Sequence, residues 1–166
     1  MNKRVADDAD SGDIRQELVR LTQLLIVEGA KIVGAFAELH GLHHTDVEAM
    51  GYVRIAEDRG TPMTAGALAA ELGLTSGAIT FVIDRLERAG HLTRQRDSND
   101  RRKVLLRYSA EGRALADDFF AAHGRHGNAV MDQFTPEELQ IVQRYLAATG
   151  TAMATHRHSL TPPAQT

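Results

Sequence analysis

The stretch LAAELGLTSGAITFVIDRLERAGHLTR, residues 68–94, decides the fold of this chain. Its first residues are predicted to form a short amphipathic helix that ends at Gly73. A second helix follows, with Thr75 or Ser76 as its N-cap and Gly90 as its stop signal. Two helices joined by a short glycine turn are the signature of a helix-turn-helix. The second helix is expected to bury one face, made of Ile79, Val82, Ile83 and Leu86.

Two short strands are predicted directly after this motif, over residues 91–96 and 103–108. The second strand is strongly apolar through Val104, Leu105 and Leu106. Residues 97–102, DSNDRR, are a polar, turn-rich loop between the strands. A strand pair with a basic loop after a helix-turn-helix predicts a wing.

Helical patterns extend outward from this centre in both directions. One long helix is predicted over residues 14–40 and another near residues 45–60, with Thr45 and Glu48 as a capping box. Downstream, Ser109 and Thr135 are predicted N-caps of two further helices, which end near Phe134 and His156. We therefore predict a mainly α (α+β) winged helix-turn-helix fold with long N- and C-terminal helices.

The predicted domain organisation is one folded domain between two tails. Residues 14–158 form the domain, with the winged helix-turn-helix core at about 45–108 and the long flanking helices at 14–40 and 109–156. Residues 1–13 are expected to be a disordered tail, and residues 159–166 a flexible one.

Composition narrows the class of protein. Hydrophobic residues make up 43% of the 166 residues, enough for a packed core, and no apolar run reaches membrane-spanning length. The polar, acidic N-terminus does not resemble a signal peptide, so we expect a cytoplasmic protein. The absence of cysteine excludes disulfides and thiolate metal sites.

Charge is distributed unevenly along the chain. The net charge is −3, yet residues 84–107 carry eight basic and four acidic side chains, a local balance of +4. The rest of the chain is therefore −7. A basic stripe on an acidic body is typical of a DNA-contacting face, although a solvated charged face has the same pattern.

The joint pattern resembles the MarR family of transcriptional regulators. It is carried by residues 68–80, by the run IDRLERAGHLTR at 83–94, and by the wing motif Asp100-Arg101-Arg102 followed by Val104 and Leu106. The similarity covers about residues 61–112. Phe81 departs from the family, which often has a polar or basic residue there.

The resemblance implies that the second helix reads the major groove with its N-terminal residues Ser76, Gly77 and Thr80. Small and hydroxyl side chains at these positions allow close approach to base edges. Phe81 is expected either to pack on a thymine methyl group or to be buried against a neighbouring helix. Phosphate contacts are expected from the later turns, at Arg85 and Arg88.

For the wing, the resemblance implies that Arg102 enters the minor groove of the DNA. Asp100 is expected to bridge Arg94 and Arg102 and so hold the loop in shape, although an ordinary Asx turn is the alternative for Asp100. Supporting phosphate contacts are expected from Arg96, Arg101 and Lys103.

The family resemblance also implies that the long helices at 14–40 and 109–156 are dimerisation helices. It further implies that the homodimer binds a pseudo-palindromic operator and responds to a small-molecule effector. The apolar stripe of residues 14–36 and the last helix, through Leu139, Val142 and Leu146, are the expected interface, with an intramolecular core as the alternative use. A small aromatic or phenolic effector is expected in a pocket lined by Phe36, His40, His43, His44, Met50 and Arg54.

Three other functions are alternatives to DNA binding: a zinc site, a protein-interaction module and an enzyme. A zinc site would use the histidines at 40, 43 and 44, with Asp46 and Glu48 nearby, or the pair at 123 and 126, but no four-ligand pattern favours it and no metal is expected. A winged-helix protein-interaction module is the main alternative, and the basic wing argues against it. No motif indicates an enzyme.

Overall fold

The computed structural model describes residues 3–98, 100 and 102–160 and contains six helices and two strands in that part of the chain. In chain order these are α1 (Lys3–His40), α2 (His44–Asp58), α3 (Ala65–Leu72), α4 (Ser76–Arg88), β1 (Leu92–Arg96), β2 (Val104–Tyr108), α5 (Ala110–Met131) and α6 (Pro136–Leu160). The predicted mainly helical winged fold is confirmed.

The helix-turn-helix is α3 and α4, whose axes are bent by 110° across the turn. Thr64 caps α3, because its side-chain oxygen accepts the Ala67 N–H at 3.2 Å. Gly73 adopts φ 65°, a left-handed conformation that glycine enters without steric cost. Of the two candidate caps of α4, the structure uses Thr75, whose Oγ1 accepts the Ala78 N–H at 3.3 Å.

The core lies between α2, α3, α4 and the strand pair. The predicted inward face of α4 is confirmed, since its four apolar residues are all buried. Five different elements contribute the largest fully buried apolar side chains, so these elements share one core. The side chains are Val53, Leu68, Ile83, Leu86, Leu92 and Leu106.

The wing is an antiparallel pair in which Leu92 faces Tyr108 and Arg96 faces Val104. The segment before α3 joins this pair, since Leu106 N–H donates to the Met63 carbonyl at 2.8 Å and Thr64 forms a bridge with Leu105. The sheet is therefore attached to the helix-turn-helix on both sides of α3 and α4.

The start of α5 is pressed against the turn between α4 and β1. Ser109 caps α5 as predicted, accepting the Gly112 N–H at 2.9 Å, and its own N–H donates to the His91 carbonyl at 3.0 Å. A Cβ atom at Gly112 would lie 2.0 Å from that same carbonyl oxygen. Only glycine fits this contact.

The long helices differ from the predictions mainly at their ends. α1 begins at Lys3 rather than Ile14, so residues 3–13 are helical and not a disordered tail, and it stops before Gly41 at φ 64°. α2 is capped at His43 and not at Thr45, because the Asp46 carboxylate accepts the His43 N–H at 3.0 Å. α6 extends to Leu160; the predicted tail beyond it lies outside the described residues.

The chain divides into two compact units, with the boundary between Phe119 and Phe120 inside α5. The first unit holds α1 to β2 and the first half of α5, and the second holds the rest of α5 and α6. Within the described residues no single helix has the length and apolar character needed to cross a membrane; α3 and α4 meet that test only when combined across their bend.

Candidate nucleic-acid interface

The N-terminal turn of α4 is an exposed surface of small groups. Ser76, Gly77 and Thr80 are all exposed, and the Thr80 hydroxyl donates to the Ser76 carbonyl at 2.8 Å. No heavy atom lies within 4 Å of the place where a Gly77 Cβ would stand. Since Thr75 supplies the cap, Ser76 keeps its side chain for other contacts. The predicted groove-reading residues therefore share one open helix end.

Phe81 is 60% exposed, so the predicted alternative of burial against a neighbouring helix is wrong for this chain on its own. Its ring lies 5.3 Å from the guanidinium carbon of Arg85, within range of a cation–π contact. The ring extends the exposed surface of α4 by one turn.

Arg85, predicted to contact phosphate, instead points back into the protein. Its Nε and Nη2 bind the carboxylate of Asp46 at 2.6–3.0 Å, and that carboxylate is only 1% exposed. A forked, charge-assisted pair of this kind occupies the guanidinium in the free protein. Arg88, the other predicted phosphate ligand, is exposed and donates to the Asp84 carbonyl at 3.2 Å.

The wing loop is held by Asp100. Its Oδ1 accepts the backbone N–H of Arg102 at 3.1 Å, which is an Asx turn, and lies 3.4 Å from Nε of the same residue. The Arg102 side chain is 94% exposed. Asp100 thus shapes the loop around a projecting arginine. Arg101 lies outside the described residues.

The predicted bridge from Asp100 to Arg94 is wrong. The Arg94 guanidinium binds Asp84 at 2.8 Å and also Glu87, both on α4, and its backbone N–H donates to Glu87 at 3.0 Å. Arg94 therefore ties the base of the wing to the recognition helix.

The other wing cations divide into two groups. Arg96 and Lys103 are exposed at the loop ends of the strands, as their predicted role requires. Arg107 instead lies 3.7 Å from Glu57, which also pairs with Arg113. Part of the basic stripe is thus neutralised by nearby carboxylates.

The structure places the six predicted effector residues in different surroundings. Phe36 packs its ring 4.4 Å from both His40 and Phe119, while Met50 is buried. Arg54 pairs with Asp58 and Asp117, which raise its pKa, and His43 and His44 are exposed. A separate cleft of about 460 Å³ between α2 and α3 is lined by Tyr52, Ile55, Arg59 and Met63, among others, and by none of these six.

No group of three or more potential metal ligands converges among the residues whose side chains are described. His44 lies 3.7 Å from Glu48 on the exposed side of α2. The side chain of His123 lies outside the described set.

Asp46 is a buried member of this region that the sequence did not predict. It was considered only as a neighbour of the histidines, whereas the structure buries it against Arg85. One sequence signal points to it. Asp46 stands three residues after the N-cap His43, the position from which an acidic side chain caps a helix, and it is followed by the apolar residue Val47.

Comparison with known proteins agrees with this geometry. The MarR family model matches residues 51–104. The HTH-type transcriptional regulator YcgE of Bacillus subtilis is 33% identical over 108 residues, covering 65% of this chain and 68% of the relative. The HTH-type transcriptional repressor YetL of the same organism is 30% identical over 79 residues, 48% and 47% of the two chains.

Solved structures show the same fold at lower identity. Apo MarR from Escherichia coli superimposes with a TM-score of 0.53 at 20% identity, covering 80% of this chain and 96% of the other. The MepR–DNA complex of Staphylococcus aureus gives 0.52 at 17% identity, covering 81% and 97%. The matching family and relatives are transcriptional regulators, not enzymes. This chain is a member of the MarR family of transcriptional regulators.

Proposed function

We propose that this chain is a cytoplasmic repressor that binds a pseudo-palindromic DNA operator as a homodimer and responds to a small ligand. The observation that carries the proposal is the presence of an open α4 N-terminus beside a projecting Arg102, both exposed, on a wing whose strand β1 is tied to α4 by Arg94. A helix end free of bulky side chains suits the major groove, and an exposed arginine on a wing suits the minor groove. A DNA complex of the structurally similar MepR supports the same assignment.

Direct reading of bases is assigned to Ser76, Gly77, Thr80 and Phe81. The open space at Gly77 permits the helix backbone to approach a base edge, and the exposed Phe81 ring is able to contact a thymine methyl group. Arg96, Arg102 and Lys103 supply positive charge for backbone and minor-groove contact. Arg85 is removed from this set because its guanidinium is held by Asp46.

The homodimer is supported by apolar side chains that the single chain leaves exposed. On α1 these are Ile14, Leu18, Leu21, Leu25 and Ile32, which are 39–67% exposed, and on α6 they are Ile141, Val142 and Leu146. Apolar surface of this extent marks an association site. Two-fold symmetry of the protein would place two wings on two half-sites about one helical turn apart.

The proposed effector is a small aromatic or phenolic anion. The rings of Phe36, His40 and Phe119 lie together where α1 and α5 meet, and they would provide stacking surface for such a ligand. Competition by a panel of phenolic acids in an operator-binding titration tests this. If none releases the DNA, the ligand response is not of this class.

The main experiment is capture of bound fragments from a random duplex pool by the full chain, followed by titration of the best site. We expect a short palindromic site whose affinity falls steeply with salt. Arg102→Ala should weaken it by roughly 1–3 kcal/mol, about 5- to 150-fold. Arg20→Ala, an exposed arginine on α1, is the matched control and should leave affinity unchanged.

The opposite result would also be informative. If no duplex is enriched at low salt, with or without the phenolic acids, the winged-helix protein-interaction module becomes the better interpretation. If a site is enriched but Arg102→Ala binds it normally, the wing is not a reading element.

A further inference from the structure

A buried ion pair between Asp46 and Arg85 connects α2 to α4. Asp46 lies in the first turn of α2, and Arg85 lies 39 residues later in α4. The carboxylate is 1% exposed and accepts three contacts from Arg85, at 2.6, 2.9 and 3.0 Å, besides the His43 N–H. Burial of a charge at such a site is costly unless its partner stays in place.

This pair joins two parts of the chain that have separate tasks. Asp46 follows the end of α1 directly, because only Gly41, Leu42 and His43 separate α1 from α2. Arg85 stands on the same helix as Ser76 and Thr80, in its last turn. The direction of the fork therefore fixes how α4 is rotated about its axis relative to the end of α1.

Apolar contacts do not set that rotation as tightly. The buried face of α4, from Ile79 to Leu86, holds the helix against the core, but burial of apolar surface is non-directional. A bidentate guanidinium–carboxylate contact adds geometric specificity. Arg94 gives a second polar attachment, to Asp84 and Glu87, but that one joins α4 to β1 and not to the end of α1.

We propose that Asp46 is a positioning residue for DNA reading, which acts through Arg85 to set the orientation of α4. The inference rests on the proposed operator binding. Base recognition depends on helix orientation, whereas attraction to phosphates depends on charge and much less on orientation. Loss of the pair should therefore lower sequence-specific affinity and leave non-specific affinity almost unchanged.

The test uses Asp46→Asn in the full chain, with the best duplex from the random pool and a shuffled duplex of the same length and composition. Asparagine keeps an oxygen for the His43 N–H and removes the charge that holds Arg85. We expect roughly tenfold weaker binding to the selected duplex. The shuffled duplex should bind as before. Glu48→Gln, an exposed acid in the same helix, is the matched control and should change neither.

A second variant keeps the test decisive if Asp46→Asn unfolds, which a circular dichroism melt would reveal. Arg85→Lys retains the positive charge and loses only the fork. Positioning predicts the same selective loss of specific affinity. If Arg85 were instead a phosphate ligand, lysine would substitute well, and this result would overturn the inference.

The double variant Asp46→Asn/Arg85→Gln separates the remaining outcomes. Positioning through one pair predicts that it binds no worse than the weaker single variant. If Arg85→Gln lowers both affinities equally and reduces the salt slope by about one, Arg85 contacts phosphate and the inference is wrong. An unchanged preference in Asp46→Asn overturns this inference alone, whereas a wild type without any preferred duplex overturns the proposed operator binding and this inference with it.

Discussion

The winged head, residues 43–112, and the long helix α1 both contain many leucines, but the head buries most of its leucines and α1 exposes most of its own. In the head, Leu68, Leu86 and Leu106 are fully buried. On α1, Leu25 is 67% exposed and Leu39 is 78% exposed. The head completes its own core within one chain, whereas α1 leaves most of its large apolar side chains exposed in the described structure.

This contrast separates two sources of stability. Burial of a leucine contributes about 1.5–3 kcal/mol only when the side chain leaves water. The head gains that contribution by folding, and α1 gains it only by association. On α6, Ile141 and Leu146 are exposed in the same way, so the second unit also gains this contribution only by association. The head should therefore be stable at dilutions where the association is lost.

The largest expected effect comes from making one substitution in both regions. Leu86→Ala should lower the free energy of unfolding by about 2–5 kcal/mol, because it leaves a cavity in a closed core. Leu25→Ala should cost less than about 0.5 kcal/mol in the monomer. Urea denaturation followed by circular dichroism, at high and low protein concentration, measures both. If both variants lost the same free energy of unfolding at low protein concentration, the contrast between the head and α1 would be wrong.

A charge placed on α1 should act on association. Leu25→Glu should weaken the proposed homodimer roughly 100-fold, since a charge buried at an interface costs at least about 2.8 kcal/mol. Sedimentation equilibrium measures the dissociation constant. Gln23→Glu adds the same charge two residues away, on a different side of the helix, and is the control. A dimer that tolerates Leu25→Glu would show that α1 is covered in some other way.

The smallest expected effect is a loss of stability at acidic pH, caused by His91 in the head. Burial lowers the pKa of His91; the nearby charge of Asp46 opposes this shift, and the proximity of His40 adds to it. The unfolded chain then binds a proton first, so stability falls as the pH drops below about 6.5.

His91→Gln should reduce this fall, as measured by the melting temperature between pH 7.5 and 5.5. His126→Gln, an exposed histidine on α5, should leave the curve as it is in the wild type. If both variants behave like wild type, the acid response lies elsewhere.

Local signals predicted most of the head. The Gly73 turn, the cap of α4 and the inward face at Ile79 and Leu86 follow from residue type and spacing within one turn. The start of α1 was not predictable in this way, because residues 3–13 carry aspartates, a serine and a glycine that favour caps and loops in isolation.

The electrostatic part of the site was predicted less well. The Asx turn at Asp100 is local and was foreseen as an alternative. The partners of Arg85 and Arg94 depend on which elements pack together, and spacing along the chain does not reveal this. Thr45 and Glu48 match a capping box by sequence, yet Asp46 supplies the cap contact because it is already buried beside Arg85.

The contact at Gly112 has a consequence for genetics. In a screen for alleles that lose repression, most changes should cluster in α4 and the wing, where the DNA is proposed to bind. Gly112 should appear among them despite its place at the start of α5, because any side chain there meets the His91 carbonyl. Such alleles should be recessive and temperature-sensitive, since they damage folding and not recognition, whereas alleles at Arg102 should yield folded protein that interferes with the wild type.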